Sequence, residues 1–168
     1  MSNELSSRLA MGAGDKLFED AARKSGVKSA MFGVFHDAGY KGLYNGLGSE
    51  AIKIRKGIPR EENLMNRMDA TELAANQFRM TQAREKLARE KIKGQSGAIK
   101  AHEQVGREVR AAIGRIGGTM PESIKPAEHI KQVESRVKKT PPKLQLDVND
   151  ARGLIGPEVQ KQDNPAKS

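Results

Sequence analysis

The sequence predicts an all-α protein: a small helical bundle built on two long central helices, followed by a flexible C-terminal tail. Three observations carry this. Ile99, His102, Val105, Gly106, Val109, Ala112, Ile113 and Ile116 recur at three- and four-residue spacing, which draws one apolar stripe along a helix. Asp69 stands three residues before Glu72, the spacing of a capping box, at the head of a second long helix from Ala70 to about Lys93. No segment alternates well enough to demand a sheet.

Taken in order, Asn3 to Lys24 reads as a helix through Leu5, Leu9, Leu17, Phe18 and Ala21, weakened by Gly12 and Gly14 and stopped at Gly26. Ser29 is placed to cap a short apolar segment, Ala30–His36. That segment holds two of the four Phe and is the expected core centre. The dense glycines from Gly39 to Gly48 mark tight turns or close backbone approach. Within them Tyr40 and Tyr44 read as half-buried turn residues, with base stacking as their alternative use. Ser49 is expected to cap a helix carrying Ile52 to Lys56 that Gly57 and Pro59 end, and Glu61–Met68 to add a further turn or two.

On the first long helix Leu73, Ala74, Gln77, Phe78, Thr81, Leu87 and Ala88 form the expected apolar face. Gly94–Gly97 is a hinge, Ser96 opens the second long helix, and Gly117 and Gly118 stop it. The two helices are expected to pack as an antiparallel pair across the hinge, with Gly106 and Gly114 permitting close approach. Pro121 sits early in a short capped turn, and Pro126 is expected to open a last helix through Ile130, Val133 and Val137. The composition then shifts. This gives a helical domain over 1–138 and a disordered or extended tail over 139–168.

Only 36% of the 168 residues are hydrophobic and 4% aromatic, so the core must be small and aliphatic. Each such side chain contributes about 1.5–3 kcal/mol when buried, which leaves little margin and makes a homo-oligomer an expectation. Lys and Arg number 30 against 21 Asp and Glu, a net charge of +9. That excess favours polyanions: nucleic acid, an anionic membrane surface or an acidic protein face. The absence of Cys excludes disulfides and suits a reducing cytosol. No apolar run reaches the roughly 18–20 residues of a membrane span. The polar start Met1-Ser2-Asn3-Glu4 is no signal peptide, so a cytoplasmic location is expected and a membrane partner is not.

The chemistry-bearing motifs are missing. His36, His102 and His129 have no metal-ligand spacing, and His102 reads as a core-edge imidazole bonded to a neighbour. Gly39-x-x-Gly42 and Gly46-x-Gly48 follow no strand in a phosphate-loop pattern. No catalytic residue, cofactor or metal is therefore expected, and the protein is read as a non-enzyme. Two basic clusters remain: Lys53, Arg55, Lys56 and Arg60, and then Arg84, Lys86, Arg89, Lys91 and Lys93. Each cation can neutralise a phosphate and release counterions. In the second cluster, i,i+4 pairs such as Glu85 with Arg89 are the alternative use of the same residues. Changing Lys53, Arg55 and Lys56 together to Glu is expected to abolish binding and leave helicity intact.

Four stretches in order carry a resemblance. Gly39-Tyr40-Lys41-Gly42-Leu43-Tyr44 resembles a Gly-Tyr-x-Gly-Leu-Tyr motif, and Arg55-Lys56-Gly57 an Arg-Lys-Gly stretch. Thr71-Glu72-Leu73-Ala74-Ala75-Asn76 resembles a Thr-Glu-Leu-Ala-Ala-Asn helix. His102 with Gly106, Arg107 and Arg110, then Gly117, Gly118 and Pro121, is similar to a C-terminal signature. Together, over about 110 residues, they resemble the C-terminal region of the DNA-damage-inducible protein D family, without the Bro-type N-terminal half.

The resemblance implies a bacterial protein of the SOS response that modulates the RecA recombinase on single-stranded DNA, with the RecA filament or single-stranded DNA as partner. It brings no catalytic residues. Two rivals stand beside it. One is an antirepressor-like or anti-defence protein-interaction module from a phage or plasmid, whose binding would need an apolar patch and little depend on salt. The other is a sequence-specific DNA regulator, against which the lack of a convincing helix-turn-helix counts.

Overall fold

A computed structural model of the chain describes residues 16–139. Its six α-helices are α1 (residues 16–24), α2 (Phe32–Leu43), α3 (Ser49–Lys56), α4 (Ala70–Arg89), α5 (Gln95–Ile116) and α6 (Ile130–Lys139). Short 3-10 turns at Ser29–Met31, Leu64–Arg67 and Pro121–Ser123 join them, and no strand occurs among the described residues. The all-α expectation holds. The chain divides into two units between Glu134 and Ser135, so α6 spans the division and the other elements belong to the first unit. The expected helix before residue 16 and the expected tail from 140 onward lie outside the described residues.

The core centre lies where the two neighbouring Phe predict it, with α1 added. The Phe18 ring of α1 stacks on Phe35 of α2 at 5.0 Å, and the imidazole of His102 on α5 packs against both, at 4.8 and 4.7 Å. Leu43, Ile52, Met68, Leu73, Ala83, Leu87 and Val105 fill in around them.

The closest packing is between α2 and α5, and three glycines cause it. A Cβ on Gly106 would stand 2.6 Å from the Gly39 carbonyl oxygen and 3.0 Å from Gly42 Cα. A Cβ on Gly42 would strike the Glu103 carbonyl, and one on Gly39 would strike His102 and Arg79. Bare backbones on both sides let the helices touch. This corrects two expectations. Gly39 and Gly42 lie inside α2 and serve close approach, so the turn reading fails there, and Tyr40 and Tyr44 are buried, Tyr44 completely. The chief partner of α5 is α2; α4 also packs on α5, but Gly106 serves the crossing with α2.

Local signals explain the helix ends. Asp69 Oδ1 accepts the Glu72 N–H at 2.8 Å and opens α4. Gly117, at φ 79°, closes α5 in the left-handed conformation, with Gly118 N–H donating to the Ile113 carbonyl at 3.0 Å. Four boundaries differ from expectation. Ser29 makes no side-chain cap. The Ser49 N–H is instead capped by Asp37 Oδ1 of α2, at 3.1 Å. Helix α4 stops at Arg89, because Lys91 turns left-handed at φ 48°. Helix α6 opens at Ile130, four residues after Pro126.

The largest correction concerns the face of α4. Its buried residues are Glu72, Leu73, Asn76, Arg79, Met80, Ala83 and Leu87. Ala74, Gln77, Phe78, Thr81 and Ala88, expected in the core, are exposed, Phe78 by 54%. Three polar side chains occupy the inner stripe because they bond one another there.

Candidate functional site

Those three belong to one hydrogen-bonded chain through the core. Lys56 Nζ of α3 donates to Glu72 Oε1 of α4 at 2.6 Å, and Tyr44 OH donates to the same oxygen at 2.6 Å. Asn76 Nδ2 donates to Tyr44 OH at 3.0 Å, while Asn76 Oδ1 accepts from Arg79 Nη2 at 3.0 Å. Arg79 Nη1 meets His102 Nε2 of α5, and His102 Nδ1 meets the Phe35 carbonyl of α2 at 2.7 Å. A carbonyl only accepts, so Nδ1 carries the imidazole proton and Nε2 accepts from Arg79. The Arg79 guanidinium also lies over the Tyr40 ring, 4.9 Å from its centre.

The environment sets the protonation of this chain. Burial, and then the Arg79 charge, hold the His102 imidazole well below its ordinary pKa, so it is neutral. Burial raises the Glu72 carboxyl, and the Lys56 and Tyr44 hydrogen bonds pull it back. Burial and the adjacent Glu72 push the Tyr44 phenol well up. An imidazole wedged between a guanidinium and a carbonyl, with no open space beside it, holds helices together; it presents nothing to a substrate.

The residues that carry the family resemblance assemble here. Gly39, Gly42 and Gly106 make the helix crossing, and Tyr40, Tyr44, Glu72, Asn76 and His102 make the polar chain. Arg110 forms a two-pronged ion pair with Glu122, both bonds 2.8 Å, and donates to the Leu43 carbonyl that ends α2. Glu122 follows Pro121 in the 3-10 turn that Gly117 and Gly118 lead into. Arg107, Gly117 and Gly118 of the last stretch are exposed, and Arg107 is paired with Glu103 at 2.7 Å.

The first basic cluster divides between core and surface, with Arg55 and Arg60 exposed. Lys56 is a core residue, its side chain 3% exposed and locked on Glu72. Lys53 Nζ bonds the Arg60 carbonyl, Arg55 Nε bonds the Glu122 carbonyl, and Arg60 pairs with Glu50 at 2.9 Å. A Lys56→Glu change would set two carboxylates against each other in the interior, so the expected triple substitution would unfold the protein rather than test binding.

The second cluster splits. Lys86 pairs with Glu90 at 2.7 Å and Arg89 with Glu85 at 2.9 Å, both i,i+4. Arg84, Lys91 and Lys93 have no carboxylate within ion-pair distance among the described residues. They line a groove of about 700 Å³ between α1 and the C-terminal half of α4, together with Lys24. Its apolar lining is Ala21, Leu87 and Ile92 with the exposed Leu17 and Ala88, and Asp20 and Glu85 are its two carboxylates. Charge counting could find the cations but not this grouping, since Lys24 comes from another helix. Among the described residues no cluster of His, Cys, Asp and Glu is arranged to hold a metal ion. No described helix is long and apolar enough to cross a membrane.

No solved structure matches the chain. It is similar to DNA damage-inducible protein D of Escherichia coli (strain K12), at 44% identity over 128 residues. That match covers 75% of this chain and 47% of the relative, so the chain spans about half the length of the curated protein it matches. The sequence model of the family described as the DinD C-terminal domain matches residues 2–133, and the chain belongs to that family.

Proposed function

We propose that this protein is a non-enzymatic component of the DNA-damage (SOS) response that modulates a RecA-type recombinase on single-stranded DNA. Membership of the DinD C-terminal domain family and a damage-inducible relative support the response. The observation that carries the binding mode is the α1–α4 groove, where Lys24, Arg84, Lys91 and Lys93 stand together. A recombinase-coated strand offers both phosphate and protein surface, so modest affinities for each add through their effective concentration.

The test is fluorescence anisotropy of labelled single-stranded DNA, bare and RecA-coated, at two salt concentrations. Salt-sensitive binding to the coated strand is expected. Arg84→Glu with Lys91→Glu and Lys93→Glu should weaken it at least about tenfold, with helicity retained. Absence of binding to either strand at low salt overturns the reading and favours a protein-interaction module of the antirepressor or anti-defence kind.

A further inference from the structure

The groove between α1 and α4 differs in chemistry between floor and rim. Leu17, 56% exposed, faces it from α1, and exposed Ala88 faces it from α4. Leu87, Ile92 and Ala21 continue this aliphatic floor, and Lys24, Arg84, Lys91 and Lys93 supply the cationic edges.

No aromatic residue lines the groove, so it offers no platform on which bases stack. An aliphatic floor between cationic edges instead matches helix-in-groove recognition.

We propose that this groove docks an acidic amphipathic helix of a protein partner. The inference rests on the filament reading above and names the filament's protein component, not its DNA, as what the groove grips. Apolar residues of the partner at i, i+3, i+4 and i+7 enter the floor, and its flanking carboxylates face the four cations. The α4 wall runs from Thr81 to Ala88, about 10 Å at 1.5 Å per residue, room for two turns of the incoming helix. The groove is preformed at one end, because the Gly94 N–H donates to the Ser25 carbonyl at 2.7 Å and ties the end of α1 to the turn after α4.

The experiment uses the full chain and a fluorescent synthetic helical peptide with leucines at i, i+3, i+4 and i+7 and glutamates on its flanks. A twin with lysines in place of the glutamates and an unlabelled single-stranded oligonucleotide accompany it. The glutamate peptide should bind and the lysine twin should not. Ala88→Glu, which blocks the floor from an exposed position, and Arg84→Glu with Lys91→Glu should each weaken binding at least about tenfold with the circular dichroism unchanged.

Failure of the glutamate peptide to bind, while RecA-coated DNA still binds, overturns the helix-docking inference alone. So does peptide binding that Ala88→Glu leaves untouched. Displacement of the peptide by the oligonucleotide, with DNA binding indifferent to Ala88→Glu, makes phosphate the occupant. A halving of sedimentation mass by Ala88→Glu makes a second copy the occupant. Peptide binding without any binding to RecA-coated DNA overturns the filament reading and leaves the groove assignment standing.

Discussion

Lys56 Nζ lies 2.6 Å from Glu72 Oε1, with side chains 3% and 1% exposed, although the two residues come from different helices. The pair joins α3 to α4 through the core, and Tyr44 shares the same carboxylate oxygen. Removing one partner strands the other charge in a poorly solvated site. Lys56→Met should therefore cost about 3–5 kcal/mol, read as a lower urea midpoint with an unchanged slope. Adding Glu72→Leu should recover most of that loss, because the stranded charge is then gone as well.

Gly106→Ala pits two effects against each other. Alanine is favoured over glycine in a helix by about 1 kcal/mol. The added methyl would meet backbone of α2 at 2.6–3.0 Å, and rigid backbone cannot swing aside as a side chain can. Overpacking of about 1–3 kcal/mol should win, with a lower melting temperature. Gly114→Ala is the control. There the nearest atom is the flexible Met120 Cε at 3.2 Å, and the change should be neutral or mildly stabilising.

The orientation of α4 is checked by two substitutions. Leu73→Ala empties a fully buried site and should cost about 2–5 kcal/mol. Phe78→Ala removes a larger side chain that is half exposed and should move stability by no more than about 0.5 kcal/mol. The face expected from apolar periodicity holds both residues and requires Phe78→Ala to cost about 3–5 kcal/mol as well.

His102 makes stability fall in mild acid. Its folded pKa lies well below the ordinary imidazole value, by burial and then by Arg79, so the unfolded chain takes up the proton first. Stability is lost as pH drops through about 6.5, with a limiting slope near 1.4 kcal/mol per pH unit. Glu72 acts the other way. Its carboxyl is raised by burial, so the folded state takes up the proton first and gains stability as pH falls through that raised value. Unfolding curves near pH 7.5 and 5.5 should show a net loss, and His102→Gln should narrow the difference.

What the sequence makes legible follows how the interior is built. The inner stripe of α5 is mostly apolar, and Val105 and Val109 with His102 and Gly106 point inward as their spacing predicts. The inner stripe of α4 holds Glu72, Asn76 and Arg79, which apolar periodicity assigns to solvent. The same spacing then promotes Ala74, Phe78 and Thr81 to a core they do not enter. The signal was present as polar residues at i, i+4 and i+7 sharing a face with Leu73, Met80 and Leu87. Gly39 and Gly42 read equally as turns or as close approach, because what decides between them, Gly106, lies more than sixty positions away. Asp37 capping Ser49 is hidden likewise, since a cap is sought beside the helix and this one comes from a neighbour. Of the basic clusters, only geometry separates Lys56, spent in the core, from Arg84, Lys91 and Lys93, which share a groove with Lys24.

The polar chain from Lys56 to His102 has a consequence for descent. Each of its members is chosen by the others' donors and acceptors, so one replacement at a time is punished, while the outside answers to different pressures. Gly-Tyr-x-Gly-Leu-Tyr followed by Thr-Glu-Leu-Ala-Ala-Asn is then a fingerprint of architecture.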